Sequence, residues 1–166
     1  IGAPIRIVVG LKNLENGKIL TESYDKLVLS PGAKPIKPEF DGIDSDKIFA
    51  LRTVEDTLRL KKYTDEHHPK SAVIVGGGFI GIEVAENLRE LGIDVTLVEA
   101  ADQLMAPFDR DMASFIHAEI RKNSIHLMLD TMVEGFADTD GGIDVKLKNA
   151  PTLHTDMVVM AIGVAP

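Results

Sequence analysis

Apolar positions along the chain change their spacing several times, and each spacing predicts a type of element. Short β-branched runs at 5–9 and 18–24 are separated by the reverse-turn pair Asn16-Gly17, a pattern that predicts a hairpin. A third run at 26–29 extends this hairpin to a small antiparallel meander, which the pair Pro31-Gly32 ends. The proline-spaced segment that follows cannot be helical, so we expect a linker there.

Helical spacing begins near Thr53. Thr53 and Asp56 are placed as a capping pair, and the helix is predicted to end near residues 67–69. Its apolar side is predicted to consist of Val54, Leu58, Leu60 and Tyr63.

The rest of the chain alternates between strand and helix patterns. A strand at 72–75 leads into a long amphipathic helix, a strand at 94–98 follows, and another helix runs from about 109 to 123. Further strands are predicted at 124–130, 133–138, 142–148 and 156–163, with Gly141-Gly142 as a hairpin turn. This order predicts the α/β class, with helices flanking a parallel sheet and an antiparallel β-meander as an excursion.

Three glycines lie between the strand at 72–75 and its helix. Gly76, Gly78 and Gly81 have the spacing G-x-G-x-x-G, and Ile80 lies within the same motif. Gly76 would allow the tight turn, Gly78 the close approach of a pyrophosphate and Gly81 the close packing of helix on sheet. The helix N-terminus would add free N–H groups and partial positive charge. Together these features predict a Rossmann-like fold that binds a dinucleotide.

An acidic residue, Glu99, stands at the end of the second strand of this unit. A carboxylate there can accept hydrogen bonds from a ribose 2′-OH, whereas it would repel a 2′-phosphate. Residues 100–108 contain no Arg or Lys that could neutralise such a phosphate. The sequence therefore favours NAD over NADP. The fingerprint does not separate NAD from FAD, because both contain ADP.

Composition narrows the class of protein further. The chain has 166 residues, of which 45% are hydrophobic, as in an ordinary globular domain. Its 18 basic and 26 acidic residues give a net charge of −8, which argues against nucleic acid as a partner. No apolar run approaches the roughly 20 residues that span a bilayer, and no signal segment begins the sequence. We expect a cytoplasmic protein that does not bind membranes.

Cysteine is absent from the sequence. Disulfides, thiolate metal sites and cysteine-based redox steps are therefore excluded within these residues. The histidines are not placed at metal-ligand spacing, so we predict no metal site. We also find no catalytic residue in the chain itself.

Two flanking segments carry a resemblance to a known family. "YDKLVLSPGAKP" before the fingerprint and "TDMVVMAIGVAP" after it are similar to the segments that bracket the NAD domain in FAD-dependent pyridine nucleotide-disulfide oxidoreductases. "LRTVEDTLRLKKY" and "GGGFIGIEVAENL" most resemble the branch of NADH oxidase, NADH peroxidase and coenzyme A-disulfide reductase. The resemblance covers residues 24–166.

This resemblance implies that the chain is the middle of a longer flavoprotein. Residues 1–36 would be a partial flank of the FAD domain, 37–156 the NAD(H)-binding domain and 157–166 a return strand toward the FAD domain. The intact enzyme, expected to be a homodimer with a separate dimerisation domain, would pass hydride from NADH to FAD. A cysteine centre, a disulfide, dioxygen or peroxide would then receive the electrons. The alternative is a stand-alone NAD-binding or sensing module without catalysis.

The resemblance also implies roles for individual residues. Phe79 would cover the flavin and move aside for nicotinamide, Glu83 would lie near the nicotinamide ring, and Gly163 would meet the nicotinamide end. Phe108 would pack on the adenine, although a buried core ring is equally consistent with its position. The alternative for Phe79 is core packing at the helix start, and the alternative for Glu83 is an ordinary solvated carboxylate. The segment of Ser30, Pro31 and Gly32 would lie toward FAD.

Overall fold

The computed structural model describes residues 7–165, and the chain divides into two units, Ile1–Gly32 and Ala33–Pro166. None of the helices described in this range has the length and apolar character that crossing a membrane requires.

The first unit is a β-hairpin. Strands β1 (Val8–Lys12) and β2 (Ile19–Ser23) pair antiparallel. In the turn, the Gly17 N–H donates to the Asn13 carbonyl at 2.9 Å, and Gly17 has a φ of 71°. The hairpin at Asn16-Gly17 is therefore confirmed, except that residues 5 and 6 lie outside the described part of the chain.

The predicted third strand of the meander is wrong. Residues 26–29 form no strand, and Val28 and Leu29 are 88% and 77% exposed. A strand requires a hydrogen-bonded neighbour, and within the described residues this segment pairs with none. The part of this unit that the structure describes is thus a two-stranded hairpin.

The second unit contains the remaining elements. Its strands are β3 (Lys34–Pro35), β4 (Ile48–Ala50), β5 (Ser71–Val75), β6 (Asp94–Val98), β7 (His126–Met128), β8 (Val133–Thr139), β9 (Gly142–Leu147), β10 (Leu153–Thr155), β11 (Met157–Met160) and β12 (Val164–Ala165). Its helices are α1 (Val54–His67), α2 (Phe79–Glu90) and α3 (Arg110–Lys122).

Five of these strands form a parallel sheet in the order β4-β11-β5-β6-β7. Strands β8, β9 and β10 form a separate antiparallel sheet, and β3 pairs antiparallel with β12. The predicted α/β class with an antiparallel excursion is confirmed. The prediction lacked β3, β4 and β10, because two or three residues are too few to show alternation. The expected linker after Gly32 therefore contains the short strand β3.

The parallel sheet is covered on both faces. Successive side chains of a strand point to opposite sides, so each strand contributes to two separate clusters. In β5, Ala72 and Ile74 join a cluster with the α2 residue Leu88, whereas Val73 and Val75 join one with Phe136 of β8. Helices therefore cover one face of the sheet, and the antiparallel sheet covers the other.

Helix α1 begins with the predicted capping box. The Thr53 side chain accepts from the Asp56 N–H, and the Asp56 carboxylate accepts from the Thr53 N–H. Its apolar side was only partly predicted, since Val54 and Leu58 are 70% and 59% exposed, while Leu60 is buried. At about 100° per residue, Leu58 lies on nearly the opposite side of the helix from Leu60.

Candidate functional site

The turn between β5 and α2 requires glycine at Gly76. Gly76 has a φ of 109°, a conformation that side-chain-bearing residues rarely adopt. A Cβ atom at this position would lie 2.5 Å from the carbonyl oxygen of Ala161. The turn and the β11 end of the sheet are thus in backbone contact.

The other two fingerprint glycines differ from each other. A Cβ atom on Gly81 would lie 1.9 Å from the Gly76 carbonyl oxygen, so Gly81 lets α2 close on the turn itself. A Cβ atom on Gly78 would meet nothing within 4 Å. Gly78 therefore borders open space, as the close approach of a ligand requires.

The N-terminus of α2 borders the same space. Gly78 is its N-cap and provides no side-chain hydrogen bond, and no acidic residue lies in the first turn. The first N–H groups of a helix lack partners within the helix and carry partial positive charge. This terminus can therefore receive an anion without competition from a carboxylate on the helix's own first turn.

Glu99 is tied to the glycine turn. Its Oε2 accepts the Gly77 N–H at 2.6 Å, and its Oε1 accepts the Ala101 N–H at 2.8 Å. The side chain is half-buried. Each carboxylate oxygen has a second lone pair, so Glu99 can accept further hydrogen bonds from a ligand hydroxyl.

Gly77 is a site residue that the sequence analysis did not identify. Besides donating to Glu99, it accepts the Met105 N–H at 2.9 Å. The side chain of Leu104 occupies the space where a Cβ atom on Gly77 would lie, at 2.2 Å. The run of three consecutive glycines was the available signal, although the fingerprint assigns no role to its second position.

A cavity of about 520 Å³ lies where β5, β6, β7 and β11 end. Its lining includes four of the predicted residues, namely Gly76, Gly78, Glu99 and Gly163. The carboxyl ends of parallel strands are where ligands bind in open α/β sheets. The cavity also includes Ala100, Thr131, Met132 and Ile162, which sequence reasoning missed but which follow the ends of neighbouring strands.

Phe79 and Phe108 lie outside the residues that line this cavity. Their ring centroids are 6.2 Å apart with an edge-to-face angle of 82°, and the side chains are 64% and 40% exposed. Phe108 is therefore not a buried core ring. Both rings present aromatic surface beside the glycine turn.

The other predicted residues are also outside the cavity lining. Ile80 is 41% exposed and Glu83 is exposed on α2. Ser30, Pro31 and Gly32 are exposed and belong to the first unit.

Among the residues between 7 and 165, no cluster of three His, Cys, Asp or Glu side chains is placed to hold a metal ion.

Comparison with known proteins identifies the family. The profile of the family described as "Pyridine nucleotide-disulphide oxidoreductase" matches residues 5–166. The chain belongs to this family. The predicted family resemblance is confirmed.

Relatives of this family member include NADH oxidases. An NADH oxidase of Methanocaldococcus jannaschii is 36% identical over 92% of the chain, which covers 34% of that relative. The chain thus spans about a third of the length of such curated relatives.

Solved structures show the same fold. The reduced CoADR-RHD of Bacillus anthracis is 44% identical, with a TM-score of 0.85 over 96% of the chain and 28% of that structure. The water-forming NADH oxidase from Lactobacillus brevis, bound to NADH, is 34% identical, with a TM-score of 0.81 over 95% of the chain and 34% of that structure.

Proposed function

We propose that this chain is the NAD(H)-binding part of a flavin-dependent NADH oxidoreductase. The observation that carries the proposal is the single cavity at the carboxyl ends of the parallel strands, which brings the glycine turn, Glu99 and Gly163 together. The family membership and an NADH-bound structural relative support the same assignment.

The pyrophosphate of NADH would lie at the N-terminus of α2. Gly78 leaves the space that the phosphates need, and the first N–H groups of the helix would donate to them. A low-dielectric cavity wall strengthens such charge-assisted hydrogen bonds. The turn therefore binds and orients the dinucleotide without any side-chain donor.

Glu99 would hold the ribose of the adenosine half. Its two oxygens already accept the Gly77 and Ala101 N–H groups, which fix the carboxylate beside the turn. The remaining lone pairs are available for ribose hydroxyls, whereas a 2′-phosphate would meet a fixed negative charge. We infer a preference for NADH over NADPH.

The nicotinamide half would extend toward Gly163, in the segment after β11. Gly163 has a φ of 105°, and its carbonyl accepts the Ile36 N–H at 3.0 Å, so the segment is fixed in place. We propose that Phe79, with its exposed ring, covers the flavin side and moves for nicotinamide, and that Glu83 lies near that ring. Phe108 would contact the adenine while supporting Phe79 edge-on.

The rest of the activity belongs to the parent protein. When bound there, FAD supplies the group that accepts hydride from NADH. We propose that residues 1–36 and 157–166 are flanks that continue into an FAD domain, with 37–156 as the NAD(H)-binding domain and Ser30, Pro31 and Gly32 toward FAD. The second flank begins with β11, which lies within the parallel sheet of the NAD(H)-binding domain, so the chain would leave that domain only after Met160. A cysteine centre, a disulfide, dioxygen or peroxide would be the later acceptor, in a cytoplasmic homodimer.

Titration of the 166-residue chain with NADH and NADPH tests this proposal through the fluorescence of the reduced nicotinamide. We expect saturable NADH binding and weaker NADPH binding. The Gly78→Val variant should fold and lose NADH binding, because the added side chain would occupy the space of the pyrophosphate.

Gly10→Val is the matched control, since a Cβ atom on Gly10 also meets nothing within 4 Å but lies in β1 of the other unit. This variant should bind NADH like the unsubstituted chain. A folded Gly78→Val protein with unchanged NADH affinity would show that the cavity is not the dinucleotide site.

A further inference from the structure

The segment 99–109 joins β6 to α3 without helix or strand, and it carries Glu99 and Ala100 at the cavity. It is fixed to the glycine turn at more than one point. The Met105 N–H donates to the Gly77 carbonyl, and the fully buried side chain of Leu104 packs where Gly77 has no side chain. The position of this loop therefore determines the surroundings of Glu99.

A histidine on α3 provides a further contact to this loop. The Nε2 atom of His117 accepts the Leu104 N–H at 3.0 Å. A ring nitrogen accepts only when it carries no proton, so the imidazole is neutral, with its proton on Nδ1. His117 thus connects helix α3 to the residue that packs on Gly77.

The backbone at the next residue shows that these contacts hold the loop in a costly conformation. Met105 has a φ of 54°, which is unfavourable for a residue with a side chain. Such conformations persist only where the surrounding contacts determine them. The Leu104 and Met105 N–H groups are the two consecutive donors that bond to His117 and Gly77.

We propose that His117 is a positioning residue for NADH: its neutral imidazole holds Leu104 and the 99–109 loop on Gly77, and so keeps Glu99 directed at the ribose. The inference rests on the proposed function of the cavity. His117 lines no part of the cavity itself and acts through Leu104, Gly77 and Glu99.

The electrostatic surroundings favour the neutral ring. Burial lowers the pKa of His117, and the positive charge of Arg121, one turn along α3, lowers it further. In the facing loop, the carboxylate of Asp102 is paired with Arg110. Protonation of Nε2 would place an N–H group against the Leu104 N–H, so the loop should loosen as the pH falls below about 6.5.

Two substitutions at His117 separate the role of the acceptor from that of the ring volume. His117→Leu fills similar space but offers no acceptor, whereas His117→Gln supplies a side-chain oxygen near the position of Nε2. At pH 8 we expect His117→Leu to weaken NADH binding by about 3- to 10-fold, the effect of losing one hydrogen bond. His117→Gln should stay within about twofold of the unsubstituted chain.

The pH dependence of NADH affinity is a second measurement, and a purely structural role of His117 would leave it unchanged. NADH affinity of the unsubstituted chain should fall as the pH decreases from about 6.5 to about 5, relative to His117→Gln, whose amide does not titrate. His154→Gln is the control, because His154 lies on β10, is bonded to Asp144 and does not line the cavity. This control should retain the fall in affinity.

The outcomes distinguish the inference from the function on which it rests. Absence of NADH binding by the unsubstituted chain at every pH would contradict the proposed function itself. If NADH binds, a His117→Leu variant with unchanged affinity, or a His117→Gln variant with the same fall at low pH, would overturn the role of His117. Should His117→Leu not fold, the profile of His117→Gln decides alone.

Discussion

At the scale of single residues, the space around a glycine determines how much an added methyl group destabilises the protein. Gly81→Ala should destabilise the protein by about 2 kcal/mol or more, because its Cβ atom would lie 1.9 Å from a backbone oxygen that cannot move away. Urea unfolding measures this change in the free energy of unfolding. Gly10→Ala, with open space around its Cβ atom, should change the free energy by less than about 1 kcal/mol.

Glu99 leads to a second prediction, because its carboxylate serves both the fold and the ligand. Glu99→Ala would leave the Gly77 and Ala101 N–H groups without their partner. We expect NADH binding to weaken by about 1–3 kcal/mol, with a loss of stability of similar size. Glu134→Ala, an exposed residue of β8, is the control for removing one negative charge. Unchanged NADH affinity in Glu99→Ala would assign the ribose to another group.

The spacing of residues along the sequence was sufficient to predict which side of the fold several candidate residues share. Gly76, Gly78 and Glu99 were predicted as a group, and they line one cavity. Gly77 and His117 could not be predicted in the same way. Their roles arise from contacts with the 99–109 loop, whose irregular backbone follows from packing and not from a periodic pattern.

At the scale of elements, the start of α1 is a local structure that can be tested alone. The Thr53 side chain accepts the Asp56 N–H, and removing such a cap costs about 0.5–2 kcal/mol. Thr53→Ala should therefore lower the free energy of unfolding by that amount. Thr57→Ala, also on the exposed part of α1, is the control and should have a smaller effect.

The same cap predicts a pH dependence of stability. The pKa of Asp56 is lowered from its ordinary value, chiefly because its carboxylate accepts the Thr53 backbone N–H. A carboxyl group with a lowered pKa in the folded state stabilises the protein above the unfolded pKa of about 3.9, and this stabilisation is lost as the pH falls through the folded pKa. Asp56→Asn should show less loss of stability between pH 5 and 2, measured by urea unfolding.

Predictions of elements succeeded where local signals were strong. The capping box and the glycine turn predicted the starts of α1 and α2, because both signals lie within a few neighbouring residues. The supposed strand at 26–29 failed for a different reason. The apolar run Leu27–Leu29 favours a strand, but pairing depends on a neighbour that the described hairpin does not provide.

At the scale of the whole molecule, binding and turnover should be separable. The chain contains one glycine fingerprint and no cysteine. We therefore expect the purified chain to be colourless and to leave NADH unoxidised, even with FAD and oxygen added. An absorbance scan for flavin and the NADH absorbance over time measure both. A yellow protein with one flavin per chain, or turnover that requires the protein, would contradict the proposed division between NADH and FAD segments.

The order of strands in the parallel sheet has a consequence for synthesis on the ribosome. Strand β11 lies between β4 and β5, although more than half of the second unit separates it from them along the chain. Until Met160 has been translated, β4 has no strand beside it and one edge of β5 is open to other nascent chains. A nascent chain that ends after β9 would therefore expose these unpaired strand edges, and we expect it to aggregate and not to fold as a smaller domain.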